Sequence, residues 1–169
     1  KGYGEKVKNI INKKKERFEE KLEIIANTPK FPNSGKPRPY QKEAYENWVK
    51  NDYSGVFAMA TGTGKTITSL NCLLKLYEKH GYFRAIILVP SIALLNQWEE
   101  EVKAFNFKKT LKVGGGNNWE KKLANYSSNF AWGLKNDLVI ISTYGSFVLE
   151  RFQKLFKKVQ QDFLLIADE

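Results

Sequence analysis

Apolar residues recur at mostly helical spacing over residues 5–27, as Val7, Ile11, Phe18, Leu22 and Ile25, with Lys and Glu between them. The pattern predicts one amphipathic helix whose apolar stripe needs a surface to cover. NTPKFPNSGKPRP, Asn27 to Pro39, then breaks the pattern with four prolines and a glycine, the composition of a linker. A second helix is predicted from Pro39 to Lys50. Tyr40, Ala44 and Trp48 fall at i, i+4 and i+8, and Pro39 suits a first turn.

From there strands and helices alternate. GVFAMA reads as a strand and Lys65 to Lys79 as a helix; RAIILVP is a strand and Ile92 to Phe105 a helix. TLKV is a short strand ending in Gly114, Gly115 and Gly116, followed by a helical stretch over Asn118 to Tyr126. DLVIIST is a strand, Phe147 to Lys158 a helix, and FLLIA a strand that reads as buried. Strands that are apolar on both faces and separated by helices predict an α/β fold, with a parallel sheet covered by helices on both faces.

Composition narrows the class. No apolar run reaches the roughly 18–20 residues of a membrane helix, and the Lys-rich start has no apolar signal core. The single cysteine, Cys72, rules out an internal disulfide and a cysteine metal cluster. It stands among Leu70, Leu73 and Leu74 and reads as a buried thiol. His80 precedes Gly81 at a helix end, where it complements the helix dipole. The net charge is +10 and uneven: residues 1–42 hold 12 Lys/Arg against 5 Asp/Glu. A basic chain favours polyanions, nucleic acid first. For the first 28 residues alone, polyanion binding stands evenly against a solvated helix face or an arm belonging to a neighbour.

MATGTGKT, Met59 to Thr66, follows one predicted strand and opens a predicted helix, the setting a phosphate loop requires. Gly62 and Gly64 let the backbone fold tightly, so that successive N–H groups converge and join the positive helix end. Thr61 and Thr63 fill the loop. Lys65 would reach the β- and γ-phosphates of ATP, and the Thr66 hydroxyl would ligate Mg²⁺. Met59 stands where the usual pattern opens with glycine. The chain ends on LLIADE, Leu164 to Glu169. Two acids after an apolar strand are a weak signal alone, since strands often end in acids at the surface. Beside a phosphate loop they gain a meaning: Asp168 is placed to hold the metal and Glu169 to polarise the attacking water. Lys65, Asp168 and Glu169 are the candidate catalytic residues, and Thr66 and Asp168 the candidate metal ligands.

In this order and spacing, MATGTGKT, VPSIALLNQW (Val89 to Trp98) and LLIADE resemble motifs I, Ia and II of the superfamily 2 helicases and translocases. The resemblance runs from Lys36 to Glu169, and MATGTGKT is similar to the restriction subunits of type I and type III systems and their DExH-type relatives. It implies a first RecA-like domain over residues 39–169, preceded by a basic helical extension (1–28) and a linker (29–38). It also implies an ATP-dependent DNA helicase or translocase of a restriction or repair system, working with nucleic acid, double-stranded DNA first, inside the cell. KPRPYQ resembles the adenine-reading segment of the family: the Gln41 amide can donate and accept at an adenine edge, and Arg38 can stack on the ring. The plainer reading of Gln41 is a helix cap with a solvated amide. Ser91, Gly115 of VGGG and Thr143 of ISTYGS resemble the family's nucleic-acid contacts, with Ser91 also a natural N-cap. Ile92, Leu95 and Trp98 read as core. Trp119, Tyr126 and Trp132 could stack bases but are assigned no role, because aromatics are more often core.

The family's second RecA-like domain, whose arginines complete the ATP site, is not in this sequence, nor are the residues after Glu169 that tell DEAD from DEAH. The expectation is therefore a piece truncated at motif II, with little turnover alone, belonging to a parent that carries the second domain and has room for an upstream domain or a nuclease. The last strand is expected to be central, leaving part of the sheet uncovered. The competing reading is a nucleotide-binding regulatory or scaffolding module without motor activity.

Overall fold

Four strands form one parallel sheet in the order β2-β3-β1-β4. The computed structural model describes residues 2–60, 62–116, 118–131, 137–159 and 162–168. β1 (Arg84–Val89) pairs along its whole length with β3 (Leu138–Thr143), from Arg84 opposite Leu138 to Val89 opposite Thr143. β2 (Thr110–Val113) lies on the far side of β3, and β4 (Leu164–Ala167) on the far side of β1.

The alternation of the strands assigns the two faces. Ala85, Ile87, Val89 and Ile141 face α3 (Lys65–His80) and α4 (Ile92–Ala104), meeting Leu70, Leu73, Leu95 and Val102. Ile86, Leu88, Leu111 and Ile140 face the other way, against Trp119 and Leu123 of α5 (Trp119–Ala131) and Phe152 of α7 (Glu150–Phe156). Both faces are covered, as the continuous apolar strands predict. Each fully buried aliphatic side chain contributes about 1.5–3 kcal/mol of transfer free energy, which makes these two layers the main stabilising term. Cys72 is 3% exposed inside the first layer, and burial pushes its thiol up to about 12. It is a structural thiol and not a nucleophile.

α1 (Gly2–Asn27) is the predicted amphipathic helix. Ile11, Phe18, Leu22 and Ile25 are 50–67% exposed, so among the described residues the stripe is left open to solvent. Its end is pinned: the Asn106 amide donates to the carbonyls of Ala26 and Thr28, both at 2.9 Å. The stretch after it is held as well. Lys30 N–H bonds the Phe105 carbonyl at 2.9 Å, and Phe31 meets the Phe105 ring edge-on at 5.3 Å. α2 (Pro39–Lys50) follows with the bounds read from the sequence.

Three expectations change. GVFAMA is not a strand: residues 54–60 have no ladder partner, because a cavity of about 430 Å³ separates Gly55, Val56 and Phe57 from β4. β4 is neither buried nor central. It is an end strand among the described residues, and Leu165 is 59% exposed. The helix predicted over Phe147–Lys158 is two helices. α6 (Tyr144–Phe147) starts early because the Thr143 hydroxyl accepts the Ser146 N–H at 3.2 Å. Leu149 is extended and reopens the chain as the N-cap of α7, while the Gln153 amide donates to the orphaned Phe147 carbonyl at 2.6 Å.

Candidate nucleotide and nucleic-acid site

The loop that the sequence reads as a phosphate loop is built by two left-handed glycines. Gly62 has φ 79° with open space around it, and Gly64 has φ 87° and forms the N-cap of α3. Thr63 folds the loop back on itself, its hydroxyl donating to the Ala60 carbonyl at 2.6 Å. Thr61 lies outside the described residues. The first turn of α3 is tightened by Thr68, whose hydroxyl donates to the Gly64 carbonyl at 2.9 Å. Lys65 and Thr66, half-buried on this turn, line the 430 Å³ cavity together with Ser69, Trp98 and Asp168. Loop and acid, a hundred residues apart in sequence, thus share one cavity, at the end of the sheet where parallel α/β folds place their ligands.

Asp168 sits just past β4 and is fixed at three atoms. Its N–H bonds the Leu88 carbonyl at 2.9 Å, its carbonyl accepts from the Tyr144 hydroxyl at 3.2 Å, and its Oδ2 accepts from the Trp98 indole N–H at 2.7 Å. Trp98, read from the sequence as core, is core at 3% exposure and a donor as well. The signal that could have found it is the residue type: a buried indole needs an acceptor. Glu169 lies outside the described residues.

The first turn of α2, with its N-cap Arg38, closes over the loop. The Tyr40 hydroxyl donates to the Thr63 carbonyl at 2.7 Å, and Arg38 Nη1 donates to the Tyr40 hydroxyl at 3.2 Å. The sequence places Tyr40 only in the periodic pattern of α2 and assigns it no site role. Gln41 caps α2, its Oε1 accepting the Arg38 N–H at 2.9 Å; at 4% exposure its amide is buried, not solvated. Its Nε2 lies 3.2 Å from where a Cβ on Gly64 would be. Oε1 keeps a second lone pair and Nε2 its donors, so the amide retains hydrogen-bonding capacity.

Ser91, Gly115 and Thr143 come together at the same end of the sheet. Val89 is paired with Thr143, and Val113 with Ser142, so the chain leaves β1, β2 and β3 side by side. A Cβ on Gly114 would meet Ile92 at 3.2 Å, Ser146 Oγ at 3.3 Å and Thr143 at 3.5 Å. Gly114 (φ 140°) and Gly115 (φ 67°) thus let the turn lie directly on the starts of α4 and α6. Ser91 caps α4, its hydroxyl accepting from Leu94 N–H at 3.3 Å, and Thr143 Oγ1 donates to Ser146 Oγ at 2.9 Å. Ser146 joins this cluster. Trp119 is core, 4% exposed, and Tyr126 packs against the same layer; Trp132 lies outside the described residues. Among the described residues no three His, Cys, Asp or Glu side chains gather into a metal cluster, and no helix is long and apolar enough to cross a membrane.

Comparison with known proteins gives this arrangement relatives. Over 80% of the chain the fold matches a nuclease-deletion mutant of the Type ISP restriction-modification enzyme LlaGI, solved in complex with a DNA substrate mimic (TM-score 0.64, 28% identity, 15% of that chain). The ATP-dependent Type ISP restriction-modification enzyme LlaBIII bound to DNA matches 76% of the chain (TM-score 0.58, 29% identity, 10% of that chain). In sequence, 96 residues are 30% identical to the chromatin-remodeling ATPase INO80 of Eremothecium gossypii, covering 49% of this chain and 7% of that protein. Another 76-residue match, 41% identical, is to the helicase SWR1 of Candida glabrata, covering 42% of this chain and 5% of that protein. The chain therefore spans a small part of the relatives it matches. The family described as type III restriction enzyme, res subunit, matches residues 34–169, the stretch that holds the loop, Asp168 and the three-strand cluster, and the chain belongs to that family.

Proposed function

We propose that residues 39–169 are the ATP-binding, first RecA-like domain of a protein that hydrolyses ATP to move along DNA, with residues 1–28 as a helical extension and 29–38 as a pinned linker. The observation that carries this is the single cavity lined by Lys65, Thr66 and Asp168. A loop whose two glycines adopt φ near +80°, opening a helix beside a carboxylate, suits a nucleoside triphosphate with a divalent cation. Thr66 and Asp168 are the residues that would hold Mg²⁺, a hard cation suited to a hydroxyl and a carboxylate beside phosphate oxygens. When bound, that ion would neutralise charge developing on the transferred phosphoryl group.

The chain's own residues divide the work. The loop N–H groups and the start of α3 bind the phosphates, and Lys65 supplies a fixed positive charge. Tyr40 holds the loop by its Thr63 carbonyl, and Gln41 lies behind Gly64, where its amide can reach a base edge. Arg38 is assigned to the ring of the base, and Glu169 to orienting water. Ser91, Gly115 and Thr143 are assigned to the nucleic-acid backbone. Hydroxyls and glycine N–H groups suit phosphate oxygens and carry no base reading, so the grip should be salt-sensitive and sequence-neutral. DNA is the favoured track, because the two solved relatives are described with DNA, and duplex DNA is the form we propose.

The test is ATP hydrolysis by the longest native product of the gene, with no nucleic acid, single-stranded DNA, duplex DNA or RNA added. Stimulation by duplex DNA, abolished by Lys65→Ala, is expected. Nucleotide binding without stimulation by any nucleic acid would instead favour a regulatory module.

A further inference from the structure

Among the described residues of the proposed site, Asp168 depends on side chains from two other elements to keep its place. β4 ends at Ala167, so Asp168 lies where the ladder no longer fixes the chain beyond one bond to Leu88. A carboxylate there would be free to rotate about χ1 and to follow any movement of the strand end. Two aromatic residues oppose this. Trp98 reaches from the second turn of α4 and donates its indole N–H to Oδ2 at 2.7 Å. Tyr144, the first residue of α6, donates its hydroxyl to the main-chain carbonyl at 3.2 Å. One fixes the side chain, the other the peptide that carries it.

We propose that Trp98 and Tyr144 are positioning residues that hold Asp168 in the orientation in which it takes the metal, resting on the reading that Asp168 is a Mg²⁺ ligand. An indole N–H is a donor only, so Trp98 can pair with the carboxylate oxygen but cannot compete with it for a cation. Its ring is packed in the layer between α4 and the sheet at 3% exposure, so the donor is rigid. It occupies one oxygen and leaves Oδ1 without that bond. This is the outer support that ligating carboxylates require, and its loss typically costs metal affinity about ten- to a hundredfold.

The arrangement also gives the supports a second connection. Ser91 is the N-cap of α4 and Thr143 that of α6, so both elements that support Asp168 are capped by proposed backbone contacts. A shift of either element on nucleic acid would be felt at the same carboxylate.

The experiment uses the intact protein, with Trp98→Phe and Tyr144→Phe made separately and in an Asp168→Asn background. Mg²⁺ is titrated at fixed ADP while thermal stabilisation is followed, and separately at fixed ATP while hydrolysis is followed. Trp98→Phe should raise the Mg²⁺ concentration for half effect by about tenfold in both titrations. Tyr144→Phe should move it in the same direction by less. For Tyr144→Phe, ADP binding in the absence of divalent cation should be unchanged, and in the Asp168→Asn background neither variant should add to the effect. A merely structural role would lower the melting temperature and leave the Mg²⁺ half-points where they are, and that result overturns the proposal. Should Trp98→Phe fail to fold, Tyr144→Phe removes a single oxygen and decides alone, an unmoved half-point overturning the proposal. If the wild-type protein shows neither Mg²⁺-dependent stabilisation by ADP nor hydrolysis, the functional reading itself falls and takes this proposal with it.

Discussion

At Gly64 the backbone itself is the functional group. Its φ of 87° is a conformation that costs an L side chain roughly 1–2 kcal/mol, and a Cβ there would lie 3.2 Å from Gln41 Nε2. Gln41 is buried and tied to the cap of α2, so it has little room to give. Gly64→Ala should lower stability by roughly 1–2 kcal/mol through the strain alone. It should also abolish binding of a fluorescent ATP analogue, because relaxing the strain turns the loop N–H groups away from their common focus. Denaturant melts and analogue titration check the two effects. Normal affinity with an unchanged melt would mean that the loop tolerates another shape. This residue was legible in the sequence, since glycine at that place in TGTGKT has a backbone reason. Tyr40 was not, because a tyrosine beside a cap carries no mark that its hydroxyl will reach a loop carbonyl 23 positions away. The same is true of Trp98, whose apolar neighbours announce its burial and hide its donor.

Among the elements, those with strong periodicity came out within a residue or two of their predicted bounds, as α2 and α4 do. The split of Phe147–Lys158 is local, set by the Thr143 cap and the Gln153–Phe147 bond, but the other failures depend on neighbours far away in sequence. GVFAMA has the composition of a strand, but a strand needs a partner, and the facing edge of β4 lies across a cavity. The joint between α4 and β2 was equally invisible. Glu99 of α4 accepts Lys112 of β2 at 3.0 Å and Lys103 of its own helix at 3.1 Å. Burial pushes the Glu99 carboxyl up, but the hydrogen bonds from Lys112 and Lys103 outweigh it and hold the carboxyl below its ordinary value. A carboxylate held low in the folded state stabilises above its ordinary value of 4.5 and loses that contribution as pH falls through the folded value. Glu99→Gln should therefore cost about 0.5–1 kcal/mol at neutral pH, and the gap should narrow as the pH falls below 4.5. Urea melts at pH 7, 5 and 3.5 read this directly. A constant gap across the three would assign the loss to packing and not to charge.

The molecule as a whole joins a well-covered sheet centre to an uncovered end. The α/β class and the helices on both faces were legible, because β1 is apolar from Ala85 to Val89 and β3 from Leu138 to Ile141, and such strands are stable only between two layers. The position of β4 was not, since LLIA has the same composition at the middle of a sheet as at its end. In this chain Leu165 is 59% exposed and Val56 91% exposed, on either side of the cavity along the free edge of β4. An unpaired strand edge with apolar side chains beside it is a template for another strand. A net charge of +10 opposes two such chains meeting. Repulsion between solvated charges is screened over about 10 Å at 0.1 M salt and about 3 Å at 1 M, whereas burial of Leu165 is not weakened by salt. The 169-residue chain should thus self-associate more strongly as salt is raised, the reverse of what salt bridges would give. Its melting temperature should rise with protein concentration, as it must when the associated form is the folded one. Leu165→Lys adds a charge where the second strand would lie and should flatten both dependences. Sedimentation equilibrium at two salt concentrations, with melts over a dilution series, makes the comparison. Association that weakens with salt, or survives Leu165→Lys unchanged, would move the contact away from β4. The long stripe of α1, at least half exposed at Ile11, Phe18, Leu22 and Ile25, would then be the surface to mutate next.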